Sequence, residues 1–207
     1  MNTIILANGA FPKSEKLLRL LDTAERIVCC DGAVNSLVES GREPSVIVGD
    51  LDSVKPEVKS HYSDRLVQVA DQETNDLTKA VNWCVEKGIK DVTILGATGK
   101  REDHAIGNIS LLSGYSKRLN VKILTDYGEF VAVAETTTFA SFAGQQVSIF
   151  SLDTNLMVSS TGLKYPLKEH NLTSWWMGTL NESEGDKFTI TLNGAGDVIV
   201  YLLDERR

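Results

Sequence analysis

Residues 26–53 read RIVCCDGAVNSLVESGREPSVIVGDLDS, and the fold class of the first half of the chain can be predicted from them. Two short apolar runs within it, Arg26–Cys30 and Val46–Val48, have the composition of buried β-strands. Each run is followed by an aspartate-containing turn, Asp31-Gly32 after the first and Gly49-Asp50-Leu51-Asp52 after the second. The two strands are separated by a helical stretch, so the sequence predicts a βαβ unit with parallel strands.

The same alternation continues on both sides of this unit. Four further apolar runs predict strands: Thr3–Ala7, Leu66–Ala70, Asp91–Leu95 and Val121–Thr125. Helices are predicted over Asn75–Lys87, with Thr74 or Asn75 as the cap and Gly88 as the stop, and over Asp103–Tyr115. The first half is therefore predicted to be an α/β domain with a mainly parallel, Rossmann-like sheet. Ligands of such sheets bind beyond the carboxyl ends of the strands.

After Gly128 the helical period disappears. The β-rich runs of this half are Glu129–Glu135, Gln146–Phe150, Lys187–Leu192 and Asp197–Leu202. Asn193-Gly194 between the last two runs is a hairpin signal. The pattern predicts an all-β antiparallel sandwich or small barrel. We expect two domains, residues 1–128 and 129–207.

The composition favours a small-molecule substrate. The 207 residues include 21 Lys and Arg against 28 Asp and Glu, a net charge of −7, whereas nucleic acids and anionic membranes require a basic surface. No stretch is long and apolar enough to span a bilayer, and the N-terminus has no basic signal-peptide region. Three cysteines without a C-x-x-C motif are expected to be reduced core residues. We therefore expect a cytoplasmic protein.

Aspartates recur in the loops that follow the predicted strands. Asp50 and Asp52 share one tight turn, and Asp76 opens a helix with Lys79 one turn further on the same face. An isolated turn of this kind is more often structural, and Asp76 alone could serve the helix dipole. Because several such loops should meet at one sheet edge, however, their carboxylates need a cation, and Mg²⁺ prefers oxygen ligands. The recurrence favours a metal-assisted reaction on a phosphate compound.

A glycine-containing turn, Gly96-Ala97-Thr98-Gly99-Lys100-Arg101-Glu102-Asp103-His104, leads into the second predicted helix. Such turns offer backbone N–H groups to phosphate oxygens, although this one lacks the Walker A order. Arg101 can clamp a phosphate bidentately, and Asp103 can cap the helix or assist the metal. A lone histidine at a helix start, such as His104, is more often structural.

In this order the motifs resemble those of the thiamine pyrophosphokinase family. They are Asp-Gly-Ala at 31–33, Gly-Asp-Leu-Asp-Ser at 49–53, Asp-Gln-x-x-x-Asp-x-x-Lys at 71–79 and Gly-x-x-Gly-x-Arg-x-Asp-His at 96–104. Two later segments, STGLKYPL at 160–167 and GTLNE at 178–182, resemble that family's thiamine-binding segments. The resemblance covers most of the chain.

The resemblance implies a catalytic, ATP- and Mg²⁺-binding α/β domain over 1–128 and a thiamine-binding β-sandwich over 129–207. It implies a homodimer with the active site at the subunit interface. The implied reaction is Mg²⁺-dependent transfer of the terminal pyrophosphoryl group of ATP to the hydroxyethyl group of thiamine, with release of AMP.

The resemblance also implies roles for individual residues. The catalytic positions are Asp50, Asp52, Asp76, Asp103 and Arg101. The metal ligands are Asp50, Asp52 and Asp76. ATP contacts fall on Asp31, Gly32, Asp50, Lys79, Gly96, Thr98, Gly99, Arg101 and His104. Thiamine contacts fall on Gln72, Tyr165, Thr179 and Asn181. Asp76 or Asp103 could act as the base.

Two departures from the family pattern concern thiamine. Tyr165 stands where the family usually has Trp, and its aromatic face still permits stacking. Leu180 stands where the family usually has Ser and cannot donate a hydrogen bond, which leaves Thr179, Asn181 or Ser183 for that contact. We expect at least one of Trp175 and Trp176 to pack in the core.

Two other functions fit the acidic loops. One is a metal-dependent phosphohydrolase acting on nucleotides, in which water replaces the alcohol, and it leaves the 162–167 segment unused. The other is a non-catalytic sensor that holds a Mg²⁺-nucleotide without turnover.

Overall fold

The structure, a computed structural model, describes residues 2–204. Backbone contacts divide the chain into two compact units, one ending at Asp126 and the next beginning at Tyr127. None of the helices in the described residues is long and apolar enough to cross a membrane.

The first unit is an α/β domain, as predicted. Its strands are β1 (Thr3–Leu6), β2 (Arg26–Cys30), β3 (Val46–Gly49), β4 (Leu66–Gln68), β5 (Asp91–Leu95) and β6 (Asn120–Leu124). Its helices are α1 (Glu15–Asp22), α2 (Ala33–Glu39), α3 (Pro56–His61), α4 (Asp76–Glu86) and α5 (Glu102–Ser116). A 3₁₀ turn at Ser63–Arg65 precedes β4.

All six strands of this unit pair in parallel, in the order β4-β3-β2-β1-β5-β6. The chain moves outward from β1 to β4 and then crosses back to place β5 on the other side of β1. The pair β1 and β5 is therefore the topological switch point, where crevices open beyond the carboxyl ends of the strands.

The helices form where the sequence predicts them. The Oδ1 atom of Asn75 accepts the backbone N–H of Thr78 at 2.9 Å and caps α4. The buried face of α4 includes Leu77, Ala80, Val81 and Cys84, the apolar positions that share one side of a helix. All three cysteines are buried and free, as expected.

The second unit is built from antiparallel strands. They are β7 (Gly128–Val133), β8 (Thr137–Ala140), β9 (Gln146–Ser151), β10 (Met157–Thr161), β11 (His170–Asn171), β12 (Asn181–Glu182), β13 (Lys187–Asn193) and β14 (Val198–Leu203). Within this unit β12-β9-β14-β7 form one sheet segment and β11-β10-β13-β8 form the other. A 3₁₀ turn spans Trp175–Gly178.

The two sheet segments of the second unit share one hydrophobic core. Val147, Ile149 and Val200 come from the first segment, and Phe188 and Ile190 from the other. Buried side chains on alternating positions of both segments make this unit a sandwich, which confirms the predicted fold class.

Candidate active site

A cavity of about 440 Å³ opens at the carboxyl ends of the parallel strands in the first unit. Its walls come from the loops after β1, β2, β3 and β5 and from the first turns of α4 and α5. The lining residues include Asn8, Asp31, Asp50, Asp52, Ser53, Asn75, Asp76, Thr98, Lys100, Arg101, His104 and Asn108. The sheet therefore brings most of the predicted acidic and phosphate-binding positions to one place.

Three carboxylates form a group in this cavity. One oxygen each of Asp31, Asp50 and Asp52 lies within 4.8 Å of the others. Asp31 is only 4% exposed, and its Oδ1 atom has no hydrogen-bond partner among the described residues. A buried carboxylate oxygen without a donor is unfavourable unless a cation or proton satisfies it.

The backbone around this group is strained. Asp31 has φ 44° and Leu51 has φ 70°, values in the left-handed region that cost a bulky residue about 1–2 kcal/mol. The Leu51 side chain is buried in the hydrophobic core of the first unit. Because Leu51 points into the core, its neighbours Asp50 and Asp52 are directed to the cavity.

The pKa values of two members of the group shift in opposite directions. Burial raises the pKa of Asp31, and the charges of Asp76 and Asp50 add to the rise, while hydrogen bonds from Gly32 and Ser53 partly offset it. The pKa of Asp50 is lowered chiefly because the backbone N–H of Asp52 donates to its Oδ1 at 3.2 Å. A divalent cation would relieve the repulsion between these carboxylates.

Asp76, the third predicted metal ligand, lines the cavity but lies outside the group formed by Asp31, Asp50 and Asp52. Its Oδ1 atom accepts the Lys79 ammonium at 3.0 Å. Lys79 is buried and is not among the cavity-lining residues of the described chain. The predicted pair is thus present, with its cation turned toward Asp76 instead of the open cavity.

The loops after β1 and β5 are joined by backbone hydrogen bonds. The N–H of Gly9 donates to the Gly96 carbonyl and that of Ala10 to the Thr98 carbonyl, each at 2.7 Å. A Cβ atom at Gly9 would lie 2.2 Å from the Gly96 carbonyl oxygen, so only glycine fits there. Of the predicted glycine-turn positions Thr98 lines the cavity, whereas Gly96 and Gly99 are not among its described lining residues, and neither is Gly32 in the loop after β2.

The start of α5 presents Arg101 and His104 to the cavity. The Arg101 guanidinium pairs with the Asp103 carboxylate through both oxygens, the Nε atom donating at 3.1 Å to Oδ1. This pairing, together with the His104 backbone N–H, lowers the pKa of Asp103 to about 2. Asp103 itself is exposed and is not among the described lining residues.

Asn108 lines the cavity and is not among the residues predicted from the sequence. Its Oδ1 atom accepts the Asn75 side chain at 3.1 Å, and its Nδ2 atom donates to the Ala97 carbonyl at 2.9 Å. Asn108 thereby ties the cap of α4 to the loop after β5. Asn108 could have been predicted as a site residue from its position four residues after His104, on the same face of α5. Ser53 belongs to the Gly-Asp-Leu-Asp-Ser motif without having been assigned a contact, and the neutral Asn8 carried no signal.

The predicted thiamine contacts fall in both units. Gln72 lies in the exposed loop before α4, and its side chain hydrogen bond helps to lower the pKa of Asp50. In the second unit the Tyr165 side chain is 62% exposed. Asn181 is buried and uses its amide on the Tyr165 backbone, accepting from the N–H at 3.1 Å and donating to the carbonyl at 2.7 Å. Asn181 therefore positions the backbone of Tyr165.

Three more exposed apolar residues lie near this segment of the chain. Trp176 is 75% exposed and Leu180 is 74% exposed with φ 59°. Trp175 is also exposed, with its ring edge-on to Phe150 at 6.1 Å between centroids. The expectation that at least one of these tryptophans packs in the core is wrong, because the 3₁₀ turn that carries both holds them at the surface. Thr179 donates its hydroxyl to the Trp176 carbonyl at 2.7 Å and stabilises this turn.

Comparison with known proteins gives matches along most of the chain. The family model for the thiamin pyrophosphokinase catalytic domain matches residues 17–124, just over half of the chain, and that for the thiamin pyrophosphokinase substrate-binding domain matches residues 128–201. Thiamine pyrophosphokinase 3 of Oryza sativa subsp. japonica is 29% identical over 87% of this chain and 79% of its own length. Thiamine pyrophosphokinase 1 of the same plant is 32% identical over 59% of this chain, and the match spans only 55% of that relative.

Solved structures share the fold. A thiamin pyrophosphokinase family protein from Enterococcus faecalis has a TM-score of 0.81 at 19% identity and is covered completely, as is this chain. The thiamin pyrophosphokinase of Geobacillus thermodenitrificans has a TM-score of 0.79 at 24% identity, over 99% of this chain and 98% of that one.

Proposed function

The chain belongs to the thiamin pyrophosphokinase family, and we propose that it transfers the terminal pyrophosphoryl group of ATP to the hydroxyethyl group of thiamine. The products would be thiamine diphosphate and AMP. The observation that carries this proposal is the cavity at the switch point, where grouped carboxylates lie beside basic residues and two helix N-termini. The phosphohydrolase and the sensor are not favoured, because the second half of the chain matches a substrate-binding domain of the same family.

The residues of the acidic group fit Mg²⁺. Asp31, Asp50 and Asp52 offer three hard oxygen ligands, and the Oδ1 atom of Asp31 lacks any other partner among the described residues. We infer that these three hold the ion, with Asp76 facing the same space from α4. Mg²⁺ bound there would neutralise charge on the phosphate oxygens as the transfer proceeds.

The ATP phosphates would be bound by the first turns of α4 and α5. The N-cap residue of α5, Arg101, makes no side-chain hydrogen bond to the helix. The His104 N–H donates to Asp103, so the N–H groups of Glu102 and Asp103 are the ones that can receive an anion. Arg101 lies at that end and can contact a phosphate from the cavity wall. The acidic residues would then hold one side of the phosphate chain through the cation, and the helix ends the other.

The reaction forms a bond between the thiamine hydroxyl oxygen and the β-phosphorus and breaks the bond from that phosphorus to the oxygen shared with the α-phosphate. The proton of the hydroxyl must pass to a base. Asp76 is supported as that base over Asp103, because Asp76 lines the cavity while Asp103 is exposed, paired with Arg101 and has a pKa of about 2.

Thiamine would be bound by the second unit through Tyr165, whose ring is exposed and whose backbone is fixed by Asn181. Aromatic rings stack on such heterocycles. The exposed Tyr165 ring and the exposed side chains of Trp176 and Leu180 support a ligand or a second subunit on the surface of this unit. We propose a homodimer whose active site is completed at the subunit interface.

Product analysis tests the proposal. Purified protein with ATP and Mg²⁺ should release AMP only when thiamine is added, and chromatography should give AMP and thiamine diphosphate in equal amounts. Accumulation of ADP and thiamine monophosphate would refute pyrophosphoryl transfer. Phosphate or pyrophosphate release without thiamine would favour hydrolysis instead.

A further inference from the structure

We propose that Lys100 is a further binding residue of this site and contacts the polyphosphate chain of the nucleotide. The ligand class rests on the proposed function. The inference comes from the basic side chains around the cavity and from which of them already have an anionic partner.

Two of these basic side chains are already paired with carboxylates. Lys79 is buried against Asp76, with the two atoms 3.0 Å apart. Arg101 forms its ion pair with Asp103. Either cation must share or leave its partner before it can bind a phosphate.

Lys100 differs from both. It lines the cavity, and within residues 2–204 no carboxylate pairs with it. Its described partner is neutral, since the ammonium donates to the Asn8 Oδ1 atom at 3.2 Å. An anion could therefore pair with the Lys100 ammonium without breaking an existing ion pair.

The backbone explains why Lys100 lies there. Gly99 has φ 88°, and a Cβ at that position would lie 2.7 Å from the Cβ of Ala10. The glycine turn therefore lies directly against the loop after β1, which brings Lys100 beside Asn8. The ammonium is thus held where the loops after β1 and β5 meet, at the switch point.

The charge of the cavity indicates what Lys100 binds. Four aspartates line it: Asp31, Asp50, Asp52 and Asp76. A polyphosphate entering this space meets charges of its own sign, so it needs cations on more than one side. Lys100 supplies a positive charge from the wall formed by the glycine turn.

Lys100→Gln tests the inference, and Lys90→Gln is the matched control. Lys90 is exposed and immediately precedes β5, whereas Lys100 lies beyond the other end of that strand, so both changes remove one lysine charge. Calorimetry with inorganic tripolyphosphate and Mg²⁺ measures binding without turnover. We expect Lys100→Gln to weaken this binding about tenfold, the loss of one charge-assisted hydrogen bond. Lys90→Gln should leave it within twofold, and Lys100→Arg should retain most of it.

In steady-state kinetics Lys100→Gln should raise the KM for ATP by a similar factor and leave the KM for thiamine unchanged. Unchanged tripolyphosphate affinity in Lys100→Gln, or an equal loss in Lys90→Gln, would overturn the assignment. A lower melting temperature without a change in affinity would also overturn it, because Lys100 would then only balance the aspartates. If the wild-type protein forms no thiamine-dependent AMP, the proposed function fails, and the binding measurement still decides the role of Lys100.

Discussion

Replacing Asp31 by asparagine removes one charge from the acidic group and keeps the shape of the side chain. The carboxylate is buried, its Oδ1 atom has no partner in the described residues, and burial raises its pKa. Asparagine also tolerates the left-handed backbone that Asp31 adopts at φ 44°. The substitution therefore isolates the effect of charge.

Without metal, we expect Asp31→Asn to be more stable than the wild-type protein by about 2 kcal/mol. An unpaired buried polar group costs about 1–3 kcal/mol when it is neutral, as the asparagine amide is, and more when it is charged, and the Asp31 carboxylate also repels those of Asp50 and Asp52 within 4.8 Å. For a chain of 207 residues the melting temperature should rise by roughly 4–8 °C. With Mg²⁺ at about 100 times its Kd, the wild-type protein should gain about 2.7 kcal/mol, and the variant should lose most of that gain.

The raised pKa of Asp31 predicts how the difference depends on pH. Below the usual value of 3.8 the carboxyl is protonated in the folded and unfolded states, so without metal the two proteins should be about equally stable. As pH rises through the raised folded value, the wild-type protein loses stability relative to the variant, and the full difference is present above it.

Thermal unfolding by circular dichroism, in EDTA and in a magnesium series, measures these differences. Asp64→Asn, which removes an exposed carboxylate of the same unit, is the control and should change neither quantity. An Asp31→Asn protein that is less stable without metal at pH 7 and is stabilised by Mg²⁺ as strongly as the wild type would refute the reasoning.

Three further predictions concern the rest of the site. Asn108→Ala removes hydrogen bonds of 3.1 and 2.9 Å. It should lower the free energy of unfolding by about 1–3 kcal/mol, measured by denaturant titration, and should also lower kcat. An unchanged kcat would contradict a positioning role. Tyr165→Ala should raise the KM for thiamine about 2- to 13-fold, since stacking contributes roughly 0.5–1.5 kcal/mol beyond burial, with little change in the KM for ATP, whereas Tyr165→Trp should retain thiamine affinity. Subunit exchange between Asp52→Asn and Tyr165→Ala proteins should partly restore activity if the site is shared between subunits; confirmed exchange without recovery would place each site within one chain.

Much of the fold was predictable because local sequence and topology agree. The bounds of β2 and β5 match the predicted runs, and the Asn75 cap of α4 follows from its side-chain chemistry. The strands of the second unit were harder to predict from the sequence. Strands β8 and β10 were missed because TTFA and MVSST are rich in hydroxyl residues and have little apolar signal. The predicted family is confirmed by both family models.

The location of the candidate site also followed from sequence, since loops after parallel strands must meet at one edge. The grouping of individual carboxylates did not. Asp31, Asp50 and Asp76 all follow strands, and the backbone angles at Asp31 and Leu51 decide which oxygens approach one another. Such angles depend on tertiary packing around Leu51, which no local pattern encodes. The Tyr165 to Asn181 hydrogen bonds are likewise contacts between distant parts of the chain.

The position of Leu51 has a consequence for engineering. The Leu51 side chain is packed among the buried residues of the first unit, and this packing fixes the backbone that carries the carboxylates of Asp50 and Asp52. If this group binds Mg²⁺ as proposed, apolar substitutions around Leu51 would change its ion preference without contacting the ion. Selection for heat resistance that repacks this part of the interior would shift the balance between Mg²⁺ and larger divalent ions, and variants chosen for stability should be screened against both.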